Sequence, residues 1–220
     1  NVYYELAIDR GEMSIADFTR LRLGKFSPKE AFKVGDKLFV GLGPYLKGLL
    51  SVFDKDKQSK EINFFGNYPI AGTEYQYQEY LDYFQGHLAR HDNQFIYAST
   101  YFGYIASYSY ENERLTKQWE KQTSDFLYQS IEFDNLHHEG FGCITAGKEH
   151  IYAFSQYLSE KQMKENGILV FDKSGKLLSC LRIKNPVVYL VTDSREENLY
   201  AVSYDIEEQH LYLSKLKTTL

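Results

Sequence analysis

One arrangement recurs along this chain and narrows its fold more than any other feature. A strand meets a short polar turn and re-enters as a strand rich in β-branched and aromatic residues. Lys33-Val34-Gly35-Asp36-Lys37 leads into Leu38-Phe39-Val40-Gly41-Leu42, and Leu88-Ala89-Arg90-His91-Asp92-Asn93 into Gln94-Phe95-Ile96-Tyr97-Ala98-Ser99. Cys143-Ile144-Thr145-Ala146-Gly147-Lys148 leads into His150-Ile151-Tyr152-Ala153-Phe154. Val191-Thr192-Asp193-Ser194-Arg195-Glu196-Glu197-Asn198 leads into Leu199-Tyr200-Ala201-Val202-Ser203. A second hairpin follows in two places, residues 50–57 (LSVFDKDK) before 61–69 and residues 169–176 (LVFDKSGK) before 177–183, each leaving through a proline. Asp-Lys-Ser-Gly-Lys has turn chemistry: glycine takes positive φ, and the aspartate bonds back to the turn backbone.

The repeats start near 31, 86, 140 and 187, a spacing of about 45–55 residues, which suits four strands per repeat. One four-stranded meander cannot bury both of its faces alone, whereas stacked meanders bury them and leave short edges. The expected fold is therefore all-β: a β-propeller of four-stranded antiparallel blades, as a single domain over residues 1–220 covering about four to five blades. Residues 2–8 and 15–23 read as strands of an earlier, incomplete blade. The last repeat stops after its third strand, Leu211-Tyr212-Leu213-Ser214-Lys215-Leu216, so its fourth would come from the N-terminal side. The strand-like start, without methionine or signal peptide, suits a processed or N-terminally truncated product.

Composition removes several function classes. Net charge is −5, and lysines and arginines are scattered among acids, so no basic stripe marks a nucleic-acid or anionic-membrane surface. No stretch approaches the ~20 apolar residues of a membrane helix. The 20 Tyr and 15 Phe favour strands and are expected in the core. Cys143 and Cys180 sit in apolar strand-like runs with no metal-ligand spacing, and are expected as buried free thiols, with a single disulfide as the alternative. Residues 75–84 (YQYQEYLDYF) carry apolar groups at helical spacing and read as a short helix or turn. Residues 160–166 read as a polar surface excursion.

No catalytic motif stands out. His137-His138-Glu139 is the most ligand-like cluster, but adjacent strand histidines point to opposite faces and no third ligand follows, so no metal site is expected. Asp54-Lys55-Asp56-Lys57 lacks the glycine and distant glutamate of a calcium loop and reads as a turn. Gly41-Leu42-Gly43-Pro44 lacks the third glycine and the helix of a dinucleotide fingerprint. Trp119 alternates with charge and is expected on an outermost strand as a packing residue. No catalytic residue and no cofactor are assigned.

The loops between second and third strands, 43–48, 101–104 and 156–167, are expected on one face with the inter-blade segments. That would gather Tyr45, Tyr101, Phe102, His137, His138 and Tyr157 into a binding surface for a glycan, peptide or protein. His91, Asp92 and His150 fall in hairpin turns toward the opposite side.

The run Val2-Tyr3-Tyr4-Glu5-Leu6-Ala7-Ile8-Asp9, Lys37-Leu38-Phe39-Val40-Gly41, and Phe53-Asp54-Lys55 leading to Phe65-Gly66-Asn67-Tyr68-Pro69 resemble the TolB-like six-bladed propeller proteins of Bacteroides-type bacteria. Tyr83-Phe84-Gln85-Gly86 and His150-Ile151-Tyr152-Ala153-Phe154 fit the same pattern. The resemblance implies a six-bladed propeller of the cell envelope, periplasmic or anchored at the outer membrane, often as a lipoprotein and without established activity. The expected function is a non-catalytic binding or scaffold module. The alternative is a propeller lyase or hydrolase acting on a glycan or lactone.

Overall fold

The structure, a computed structural model, describes residues 3–6, 18–21, 28–45, 47–54, 62–67, 84–122, 140–155, 166–205 and 207–218. Those residues contain strands and turns and no helix. The expected helix or turn at 75–84 and the excursion at 160–166 lie almost wholly outside them. The chain divides into two compact units, residues 1–67 and 68–220.

In the first unit, β1 (Tyr3–Leu6) pairs antiparallel with β2 (Phe18–Leu21), Tyr3 opposite Leu21. A four-stranded sheet follows in the order β3 (Glu30–Lys33), β4 (Leu38–Tyr45), β5 (Gly48–Asp54), β6 (Asn63–Phe65). Its core lies under the central pair. Phe39 and Phe53 are directly opposed in register and stack with ring centroids 5.8 Å apart. Gly48 is forced by space: a Cβ there would lie 2.7 Å from the Phe65 carbonyl oxygen.

In the second unit, β7 (Gly86–His91), β8 (Gln94–Ser99), β9 (Tyr104–Glu111) and β10 (Arg114–Gln122) form one antiparallel meander. The strands β11 (Phe141–Ala146), β12 (His150–Ser155), β13 (Gly167–Asp172) and β14 (Leu177–Arg182) form the next. A third meander has β15 (Val187–Thr192), β16 (Asn198–Asp205) and β17 (His210–Lys217). The sequence pattern thus becomes successive antiparallel sheets of the blade type.

The period of two in β12 and β13 explains how these sheets stack. Ile151, Ala153, Leu169 and Phe171 face the β7–β10 sheet and bury against Ala89, Ile96, Ala98 and Ile105. The intervening Tyr152, Phe154, Ile168 and Val170 face the β15–β17 sheet and bury against Val187, Leu190, Leu199 and Ala201. Each fully buried Val, Leu, Ile or Phe among them contributes about 1.5–3 kcal/mol by leaving water. Alternation thus serves two neighbours, which is why the middle sheet reads as continuous apolar runs.

Trp119 lies on the outermost strand β10, as expected, and ties two sheets together. Its Nε1 donates to the Lys173 carbonyl at 2.8 Å. Gly175, at φ +82°, lies so close beneath it that a Cβ would fall 2.7 Å from the indole. Neither cysteine is in a disulfide, and the expectation that both are buried fails at Cys180. Cys180 is on β14, the edge strand of its sheet, opposite Leu169 in register but exposed. Cys143 is buried, and burial pushes its thiol up to about 12.

Candidate functional site at the turn-bearing end of the second unit

The first strands of the three meanders run the same way. At one end, Cys143 Sγ lies 3.8 Å from the Val187 carbonyl. A Cβ on Gly140 would lie 2.3 Å from the Ser99 carbonyl. At the other end the first turns come together, at 92–93, 147–149 and 193–197. The third-strand turns at 112–113 and 173–176 follow to that end by antiparallel topology.

Glu196 is the centre of this end. Its side chain is only 5% exposed, and its backbone takes φ +59°, a left-handed conformation rare outside glycine. The carboxylate is held by groups from the neighbouring sheet. The Glu149 amide donates to Oε2 at 2.6 Å, and the His150 amide donates to Oε1 at 2.9 Å. His150 Nδ1 lies 3.0 Å from Oε1, and the Tyr152 hydroxyl donates to the same oxygen at 3.1 Å. Gly147 makes room, since a Cβ there would lie 2.5 Å from Glu196 Cδ. A buried carboxylate costs several kcal/mol unless hydrogen-bonded, and four donors meet that requirement. The same negative charge, added to burial, raises the Tyr152 phenol pKa.

A carboxylate accepts only, so the Nδ1 of neutral His150 must carry its proton toward Glu196. That leaves Nε2 as a lone-pair acceptor. The His150 side chain is 23% exposed, and Nε2 has no partner among the described residues. This is a base held in orientation by an acid. No hydroxyl or thiol among the described residues bonds to Nε2. The two residues before His150 in the turn, Lys148 and Glu149, form an exposed ion pair at 3.5 Å.

Lys173, on the adjacent third-strand turn, has its Nζ buried with no hydrogen-bond partner among the described residues. Burial lowers its pKa, opposed by the charges of Glu196, Asp92 and Glu149 from three different turns. The described part of the site therefore holds an oriented imidazole, a buried amine and exposed carboxylates. It suits hydrogen bonding to a polar ligand or a single proton transfer.

Of the residues expected from sequence, the three that are described lie elsewhere. Tyr101 is half-buried in the loop between β8 and β9, at the opposite end of its sheet. Phe102 is buried, edge-on to Phe84 at 6.0 Å. Tyr45 belongs to the first unit, where it is buried against Phe64 at 5.4 Å. His137, His138 and Tyr157 lie outside the described residues, and no group of three or more metal-ligating side chains occurs among those described. Glu196 escapes sequence reasoning because its partners are 44 to 47 positions away. The available signals were an acid inside a hairpin turn and a glycine opposite it.

No family model matches the chain, and no curated protein matches it. Solved structures do. A candidate 6-phosphogluconolactonase from Bacteroides uniformis superposes with a TM-score of 0.52 at 13% identity, over 97% of this chain and 64% of that one. A candidate 6-phosphogluconolactonase from Bacteroides fragilis gives 0.47 at 10% identity, over 84% and 53%. The tricorn protease gives 0.45 at 14% identity, over 90% and 18%. The chain thus spans roughly half to two thirds of the length of the two Bacteroides proteins. At these identities the likeness is one of fold alone, and with the repeated four-stranded meanders it makes this a chain of the β-propeller fold class.

Proposed function

We propose that this chain is a non-catalytic binding or scaffold module of the bacterial cell envelope, of the TolB-like six-bladed kind. It takes a glycan or peptide at the turn-bearing end of its second unit. The observation that carries the site is the fixed imidazole of His150: a buried carboxylate sets its tautomer, and its free nitrogen is presented beside Lys148 and Glu149. A pre-oriented acceptor among charged side chains suits hydroxyl and amide donors of a ligand. The envelope location and the blade number rest on the resemblance of the motifs quoted above.

Thermal unfolding with oligosaccharide and peptide panels tests this. One class should raise the Tm of the parent protein, while His150→Ala should abolish the shift. Tyr101→Ala serves as the control for the opposite loop. An equal response from His150→Ala sinks this placement, and loss of response in Tyr101→Ala moves the site to the loop end.

The second reading is a hydrolase acting on a lactone or glycan. It is favoured by the carboxylate–imidazole pair, which can accept a proton from water. The candidate activity of the Bacteroides uniformis protein sharing the fold is of this class. Proton release from a panel of sugar lactones, lost in His150→Ala, would establish it over the binding module.

A further inference from the structure

Five turns of the second unit share one end: 92–93, 112–113, 147–149, 173–176 and 193–197. Glycines apart, every residue in them is polar or charged, with six acids against four bases. The turn at 173–176 carries an orphan cation. Lys173 Nζ is closed from solvent and has no hydrogen-bond partner among the described residues. Its backbone is well fixed, since its carbonyl accepts from Trp119 Nε1 at 2.8 Å and from Gln94 Nε2 at 3.4 Å. The strand register brings His150 to the same place. Asp172 is the partner of His150 in the β12–β13 ladder, and Lys173 is the next residue on. The carboxylates of Glu196, Asp92 and Glu149 attract the amine without bonding to it. A buried ammonium needs an oxygen acceptor, and His150 Nε2, without a partner among the described residues, needs a donor.

We propose that this end binds an uncharged saccharide, whose hydroxyls accept from the Lys173 ammonium and donate to His150 Nε2. The inference rests on the binding site proposed above and narrows its ligand class. A hydroxyl both donates and accepts, so an array of them answers both groups. The same array donates to the exposed carboxylates of Asp92 and Glu149. Lys173 is partly exposed along a flexible four-carbon stem, so its ammonium can turn toward a ligand laid over the turns. Other ligand classes fit less well. An acidic saccharide would add negative charge where acids already outnumber bases. A cationic ligand would leave the Lys173 ammonium without an acceptor and would be repelled by it. A peptide needs seats for its side chains, and no apolar side chain stands in any of the five turns.

Isothermal titration of the whole chain with maltotriose, cellotriose, mannotriose, trigalacturonate and tetra-alanine is the test. A neutral trisaccharide should bind, and more tightly than trigalacturonate or tetra-alanine. Lys173→Met, which removes the donor and keeps the stem, should weaken that binding by about tenfold. The same variant should melt no lower than the parent, so the loss is read on folded protein. His150→Ala should weaken binding as well, and Tyr101→Ala should leave it unchanged. Equal affinity in Lys173→Met overturns the proposal, as does tighter binding of trigalacturonate. Binding of tetra-alanine alone, lost in His150→Ala, overturns the saccharide class and keeps the site. Binding indifferent to His150→Ala, or no binding by any of these probes, overturns both.

Discussion

Glu196 Oε1 lies 3.0 Å from His150 Nδ1, although 46 positions separate the two residues and each belongs to a different sheet. One carboxylate therefore orients the imidazole and fastens the first turn of the β15–β17 meander to the second strand of the meander before it. Binding and stability should respond to the same substitution.

Glu196→Gln keeps the shape but turns an amide group toward an N–H donor. The loss should be about 1–3 kcal/mol, and the Tm should fall by several degrees at roughly 2–4 °C per kcal/mol. Amide exchange should accelerate at Glu149 and His150, whose N–H groups bond to this carboxylate. Unchanged protection at both amides would remove Glu196 from its role.

Gly147→Ala should act through the same carboxylate, because the new methyl would meet Glu196 Cδ at 2.5 Å. In a double-mutant cycle with Glu196→Ala, the two losses should overlap by about 0.5–3 kcal/mol. Simple additivity would mean that the glycine answers to something else.

Three aspartates should govern the acid limb of stability. Asp172 is held below its ordinary pKa first by the Ser174 hydroxyl, Asp193 by the Asn198 side chain, and Asp205 by the Glu208 amide. Each folded pKa lies below the unfolded one, so the stabilisation is present above the unfolded pKa and is lost as pH falls through the folded value. Tm should therefore decline below about pH 4. Asp193→Asn should flatten that decline while lowering Tm at neutral pH. A parallel decline in the variant would exclude Asp193 from the acid response.

Lys173→Met should raise the Tm or the urea midpoint. It removes an amine whose Nζ is buried without a hydrogen-bond partner among the described residues, and it keeps the stem that packs there. The gain should be about 1 kcal/mol. A loss of stability would show that attraction to Glu196, Asp92 and Glu149 outweighs the cost of burial.

Much of this fold was legible because strand and turn chemistry is local. Asp172, Ser174 and Gly175 close their hairpin within a few residues of one another, so their composition announced the turn. Trp119, alternating with charge, read correctly as an outer-strand packing residue. The burial of Cys180 was misjudged because an apolar run does not say which strand lies at the edge of its sheet. The candidate site was less legible, because it is assembled by stacking. His150 was seen but set aside as a turn residue, and its partner Glu196 looks in sequence like any charged hairpin. Tyr45 and Phe102 drew notice as aromatic loop residues, yet packing within their own sheets takes up both rings.

The two-sided burial of the β11–β14 sheet sets an order of opening within the second unit. On β12 and β13 the even positions hold one neighbour and the odd positions the other, so the sheet cannot come loose without exposing both interfaces. Among the described residues the β15–β17 sheet has a single such interface, and its other face bears the exposed Tyr189 and Leu213. Fluctuations should therefore peel the last meander away while the middle one stays intact. A protease would find the turn at 207–209 long before it could reach β13.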